Sequence, residues 1–80
     1  MAFRYKIGEK NGKGREYIKD INLLIFEGEY SNGKRNGKGK EYYYNGKLKF
    51  KGKYLNGFKI KGKGYDEEGN KIRRRIFEWP

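Results

Sequence analysis

Apolar and polar residues alternate with a period of two along two stretches of this chain. Leu24, Phe26, Gly28 and Tyr30 alternate with Ile25, Glu27 and Glu29, and Leu48, Phe50, Gly52 and Tyr54 alternate with Lys49, Lys51 and Lys53. Successive side chains of a strand point to opposite faces, so this period predicts strands with one apolar and one charged face. Asn45-Gly46, between two such runs, is a strong hairpin signal because a two-residue type I′ turn needs positive φ at both central positions. Glu68-Gly69-Asn70 is a weaker turn of the same kind. Glycines scattered through every segment disfavour helix, each costing ~1 kcal/mol relative to alanine. The pattern predicts strands near residues 3–7, 14–19, 22–30, 38–44, 47–54, 62–66 and 71–77. Together they make an all-β fold, an elongated antiparallel meander of successive β-hairpins in a single twisted sheet. At the end of the chain, Ile72, Ile76 and Trp79 also have the i, i+4, i+7 spacing of a short capping helix. Strand and helix both stay open there, and the echo of Lys47-Leu48 in Lys71-Ile72 favours strand.

That echo belongs to a repeat. Phe26-Glu27-Gly28-Glu29-Tyr30 returns 24 residues later as Phe50-Lys51-Gly52-Lys53-Tyr54. Each is followed by an Asn-Gly pair, Asn32-Gly33 and Asn56-Gly57. Each then runs into a Gly-Lys-Gly step, Gly37-Lys38-Gly39 and Gly62-Lys63-Gly64, with one more intervening residue in the second copy. An earlier partial copy exists: Asn11-Gly12-Lys13-Gly14-Arg15-Glu16-Tyr17 matches Asn36-Gly37-Lys38-Gly39-Lys40-Glu41-Tyr42. Fixed-period self-similarity is the signature of a repeat architecture.

The stretch from Phe26 through Asn32-Gly33-Lys34 to Gly37-Lys38-Gly39 resembles the MORN (membrane occupation and recognition nexus) repeat. That motif has an aromatic-x-Gly-x-aromatic strand, an Asn-Gly-Lys loop and a Gly-x-Gly return. Lys40 to Lys49, with Tyr42-Tyr43-Tyr44-Asn45-Gly46 at its centre, is similar to the bacterial variant of the repeat, some of whose members are classed as antitoxins. Residues 26–49 and 50–72 match as full repeats, 3–25 as a degraded one with a shortened loop and Tyr5 where glycine is expected, and 73–80 would be a terminal cap. The resemblance implies one domain over 1–80 and a role in scaffolding or protein interaction. It implies structural glycines at Gly28, Gly37, Gly39, Gly52, Gly62 and Gly64, and motif aromatics at Phe26, Tyr30, Phe50 and Tyr54. Glu41 departs from it, standing where many eukaryotic copies carry an aromatic, as does the basic middle of the chain.

Composition narrows the chemistry. The 80 residues have a net charge of +11, only 34% of them are hydrophobic, and there is no cysteine to staple a domain near the lower size limit for a single core. Fourteen aromatics, Tyr 8, Phe 5 and Trp 1, supply much of the apolar surface. From Lys34 to Lys63 there are eleven basic side chains and one acid, Glu41. Such a stretch favours anionic partners: an acidic protein, nucleic acid or an anionic membrane surface. There is no histidine, cysteine or threonine, and Ser31 is the only serine. The usual bases, nucleophiles and transition-metal ligands are therefore lacking, and neither an enzyme nor a cofactor is expected. No apolar run resembles a signal peptide or a membrane span, and the lack of cysteine fits a cytoplasmic protein.

The candidate functional residues form two sets. Tyr30, Tyr43 and Tyr54 would line an aromatic groove for a peptide or for stacked bases, or else pack across neighbouring strands. Of Tyr42 and Tyr43, one is expected on the apolar face. Lys49, Lys51 and Lys53 share a face of one strand and Lys59, Lys61 and Lys63 repeat the pattern on the next. They would bind anions, or else serve as solvated edge protection. Arg73, Arg74 and Arg75 read as a guarded terminal strand. Gly57 to Lys63 fits the first seven positions of a phosphate-binding loop, but Gly64 stands where serine or threonine would hold magnesium, and no helix follows. Asp66, Glu67 and Glu68 lack the spacing of a cation loop and read as a solvated turn. The leading expectation is a non-catalytic protein-binding module, such as a small adaptor, antitoxin-like factor or inhibitor. The alternative is an anion binder for nucleic acid or acidic lipid through the lysine face, with self-association through the outer strands as a third option.

Overall fold

Period-two stretches separated by Asn-Gly and Asp-to-Gly turns fold into seven strands in the computed structural model, which describes residues 4–8 and 10–72. They are β1 (Arg4–Gly8), β2 (Gly12–Ile18), β3 (Leu23–Ser31), β4 (Lys34–Tyr42), β5 (Leu48–Leu55), β6 (Phe58–Tyr65) and β7 (Lys71–Ile72). All pair antiparallel with their sequence neighbours in the order β1-β2-β3-β4-β5-β6-β7, the expected hairpin meander. The helical feature among the described residues is a single 3₁₀ turn at Lys19–Ile21. The expectations for Phe3, Arg73 to Arg75, the strand beyond Ile72 and a helix through Ile76 and Trp79 lie outside the described residues.

The sheet measures 31 × 28 × 19 Å, so at this repeat number it is about as wide as its strands are long. A flat single layer with its side chains occupies only about 10 Å. Strand twist, which accumulates across a sheet, adds depth to such a layer.

The turns differ from the sequence expectation in an instructive way. The two-residue turns with both φ values positive are Asn32-Gly33 (52° and 77°) and Asn56-Gly57 (49° and 91°). They let β4 and β6 begin at Lys34 and Phe58, four residues earlier than the pattern suggested. At Asn45-Gly46 only the glycine has positive φ, 86°. There the Gly46 N–H donates to the Tyr43 carbonyl at 2.9 Å and the Tyr43 N–H to the Lys47 carbonyl at 2.8 Å, a wider loop closed by a left-handed glycine. Asp66 to Asn70 repeats this geometry, with the Gly69 N–H on the Asp66 carbonyl and the Asp66 N–H on the Asn70 carbonyl. The Asp66 carboxylate accepts from the Asn70 N–H and, with a smaller effect, the Glu68 N–H, which hold its pKa below the ordinary value.

Register decides which residues share a face, because directly opposed residues project to the same side. Gly8 stands opposite Gly14, Gly14 opposite Gly28, Gly28 opposite Gly39, Gly39 opposite Gly52 and Gly52 opposite Gly62. One row of glycines thus crosses six strands. Gly62, not Gly64, is the partner of Gly52, and Gly8, not the residue at Tyr5, completes the first strand. Aligning the two Gly-Lys-Gly steps by sequence therefore sets the second copy two residues out of register.

Bulges account for the difference. Asn36-Gly37 adds two residues to β4 against β3, while Ile60 alone is added to β6 against β5. Ile25 and Lys49 are extra residues at equivalent places in β3 and β5. Beyond these bulges, Leu24 stands opposite Tyr17 and Leu48 opposite Tyr42. The two leucines are thereby moved off the face that carries Phe26 and Phe50, where strict alternation had put them.

Candidate functional site

The sheet has two unlike faces. On one, Tyr30, Phe26, Tyr54 and Phe50 form a continuous edge-to-face row, with ring centroids 5.7, 5.2 and 5.6 Å apart. Phe26 and Phe50 are 0% and 1% exposed, an unusual burial for a single-layer sheet. The glycine row explains it from below. A Cβ on Gly39 would lie 2.6 Å from the Phe26 ring, and one on Gly62 2.5 Å from the Phe50 ring, so each phenyl lies directly on backbone. Cations cover the rings from above. The Arg35 guanidinium sits 4.0 Å from the Phe26 centroid and the Lys59 ammonium 4.9 Å from that of Phe50.

Carboxylates lock this lid. Arg35 donates through Nε and Nη2 to the two oxygens of Glu16 at 2.8 and 2.9 Å, and its Nη1 lies 3.4 Å from Glu41. Lys59 Nζ lies 3.1 Å from Glu41. Glu16, Arg35, Glu41 and Lys59 thus alternate in sign along the row. The Tyr30 hydroxyl donates to Glu16 and that of Tyr54 to Glu41. Burial, reinforced by these carboxylates, raises both phenol pKa values far above the ordinary 10.0. Burial would lower the Arg35 pKa, but Glu16 and Glu41 outweigh it and hold the guanidinium charged. Glu41, the departure from the resemblance, therefore serves as the hydroxyl acceptor and ion partner that Glu16 supplies one repeat earlier.

The opposite face is open and charged. A groove of about 980 Å³ follows the glycine row across the strands, with backbone glycine as its floor. Its walls are the residues on either side of each glycine. One wall runs Arg15, Glu27, Lys40, Lys51, Lys63 in direct cross-strand opposition. The other carries Lys13 opposite Glu29, then Lys38, Lys53 and Lys61 in mutual opposition. Arg15 lies 3.5 Å from Glu27, and Tyr42 donates its hydroxyl to Glu27 at 2.7 Å. That bond leads the causes that keep Glu27 below the usual carboxylate range, against its slight burial and with help from Arg15. Burial and Glu27 push the Tyr42 phenol up to about 12. Glu29 accepts the Lys38 N–H at 2.7 Å inside the bulge. No acid lines the groove along β4, β5 or β6.

The candidate residues are redistributed accordingly. Tyr30 and Tyr54 are 6% and 3% exposed and belong to the core row, so the expected three-tyrosine groove is not formed. Tyr43 lies apart in the β4–β5 loop, its hydroxyl on the Tyr65 carbonyl at 2.6 Å and the Lys49 ammonium 5.5 Å from its ring. Neither Tyr42 nor Tyr43 joins the apolar row. Lys51, Lys53, Lys61 and Lys63 share the groove. Lys49 is drawn away by its bulge, and Lys59 is turned to the aromatic face, where its side chain is only 22% exposed, by the extra residue Ile60. Of the glycines, Gly28, Gly39, Gly52 and Gly62 form the floor, Gly37 lies in the β4 bulge, and Gly64 stands opposite Phe50. Sequence reading missed the walls Lys13, Arg15, Lys38 and Lys40 and the lid residue Arg35. The signal was present: each wall residue directly flanks a floor glycine.

Among the described residues no group of acids could hold a metal ion, and no helix is long and apolar enough to cross a membrane. In comparison with known proteins, the family model of the MORN repeat matches residues 26–47. No curated protein and no solved structure matches the chain.

Proposed function

We propose, from the match of residues 26–47 to the MORN repeat, a module that generally mediates protein or membrane interaction, that the chain is a non-catalytic binding module holding an acidic protein segment in its lysine groove. One observation carries the reading. Lys40, Lys51 and Lys63 oppose one another on adjacent strands, as do Lys38, Lys53 and Lys61, with no acid among them. Like charges directly opposed across strands are destabilising, so these ladders cost the fold stability and need another reason to be there. An anionic partner supplies one. The tyrosines favour this face over the other, since Tyr30 and Tyr54 are enclosed in the core.

Titration of a fluorescent oligo-glutamate peptide at low ionic strength tests the assignment. Lys51→Glu is expected to weaken binding by roughly tenfold or more, equivalent to ~1.4 kcal/mol. The same substitution should not lower the melting temperature, because the new carboxylate faces Lys40 and Lys63 and each opposite pair contributes ~0.2–1 kcal/mol. Undiminished affinity in a folded Lys51→Glu protein would overturn the proposal.

A further inference from the structure

The groove's charge changes sign along its length. By strand, the walls are positive on β2 (Lys13, Arg15), negative on β3 (Glu27, Glu29) and positive on β4, β5 and β6. We infer that Glu27 and Glu29 set the partner's charge register: the groove selects an extended acidic segment interrupted by a basic residue over β3, and disfavours uniform polyanions. This rests on the acidic-segment reading above and deepens it.

The dimensions support a peptide running across the strands. Neighbouring strands lie about 4.8 Å apart, so the six-strand floor is ~24 Å long and accommodates roughly seven extended residues at ~3.4 Å each. The lysine-only part covers three strands, ~10 Å, enough for about three of those residues. The next strand presents two carboxylates. Glu27 stays ionised beneath the Tyr42 hydroxyl and beside Arg15, and Glu29 is held in place by the Lys38 N–H. Both are therefore positioned charges and not mobile ones. A nucleic acid strand places a phosphate over every part of the groove and must set some of them against these carboxylates. A protein segment can change sign where the groove does. Glu29 also has a structural use, since its carboxylate fills the bulge at Gly37, where a Cβ would lie 2.5 Å from its oxygen. Lys53 occupies the equivalent place one repeat later, where the bulge is one residue shorter. The replacement of acid by lysine thus accompanies a shorter bulge and changes the charge of the groove.

The test compares three probes of matched length: oligo-glutamate, the same peptide with a central lysine pair, and oligothymidylate. The wild-type protein is expected to bind the interrupted peptide several-fold more tightly than the other two. Glu27→Gln combined with Glu29→Gln keeps the acceptors for Tyr42 and Lys38 and should abolish or reverse that preference, with the fold verified by thermal melting. Equal affinity of wild-type protein for the two peptides would overturn the register while leaving the acidic-segment reading intact. Tighter binding of oligothymidylate than of either peptide, or no peptide binding at all, would overturn both.

Discussion

Gly39 is enclosed by the edges of two rings, with Phe26 at 2.6 Å and Tyr54 at 2.9 Å from where its Cβ would stand. The requirement there is space, not backbone freedom. Gly46 is the converse case: nothing lies within 4 Å of its Cβ position, but its φ of +86° disfavours any side chain. Gly39→Ala should therefore destabilise the protein by ~1–3 kcal/mol or more through overpacking, and Gly46→Ala by only ~1–2 kcal/mol through backbone strain. Denaturant melts of the two variants would check the order. The sequence placed Gly46 in an Asn-Gly turn, where positive φ is the requirement, but nothing in Lys38-Gly39-Lys40 announces the rings that Gly39 meets. The repeat marked Gly39 as structural, but only the register and packing show that it carries a ring.

At the scale of the hairpin, the repeat asparagines act between units. The Asn32 N–H donates to the Asn11 side chain at 2.9 Å and the Gly33 N–H to the Lys10 carbonyl at 3.0 Å. One repeat on, the Asn56 N–H donates to the Asn36 side chain at 3.1 Å and the Gly57 N–H to the Arg35 carbonyl at 2.8 Å. Each two-residue turn is thus clasped by the strand start of the preceding unit. At the other end of the strands, the β4–β5 and β6–β7 loops hold one another through Tyr43 and Asn45 on the carbonyls of Tyr65 and Glu67. Asn36→Ala is expected to cost ~0.5–1.5 kcal/mol and to speed hydrogen exchange at the Asn56 amide while leaving the Asn32 amide unchanged. Equal acceleration at both would mean that the clasps are not local. The Asn-Gly pairs were legible as turns, but their types were not. Asn32-Gly33 and Asn45-Gly46 are identical dipeptides, but the ladder closes at Ser31 and Lys34 around the first and only at Tyr42 and Leu48 around the second.

For the molecule as a whole, +11 of net charge and two ladders of opposed lysines act against the fold. Their repulsion is screened by salt: raising ionic strength from ~0.01 to ~0.15 M shortens the Debye length from ~30 to ~8 Å. The melting temperature should rise over that range by several degrees, since ~1 kcal/mol corresponds to about 4–8 °C in a domain of this size. A fall would show that the alternating row of Glu16, Arg35, Glu41 and Lys59, weakened by the same screening, outweighs the ladders. The like-charge groove and the alternating lid use the same residue types on opposite faces. Their separation is a property of the sheet, not of composition.

The amino-acid sequence by itself determined the strands, their antiparallel order and the 24-residue repeat, because period-two patterning and Asn-Gly turns act over a few residues. It also singled out six lysines, Lys49, Lys51, Lys53, Lys59, Lys61 and Lys63, of which Lys51, Lys53, Lys61 and Lys63 share the groove. The tertiary structure decided the faces. One-residue bulges at Ile25, Lys49 and Ile60 invert every side-chain assignment beyond them, and nothing within a single strand announces an extra residue. That is why Lys59 leaves the groove for the lid. It is also why Lys13, Arg15, Lys38 and Lys40 enter the groove only once Gly8, Gly14, Gly28, Gly39, Gly52 and Gly62 are seen to stand in one row.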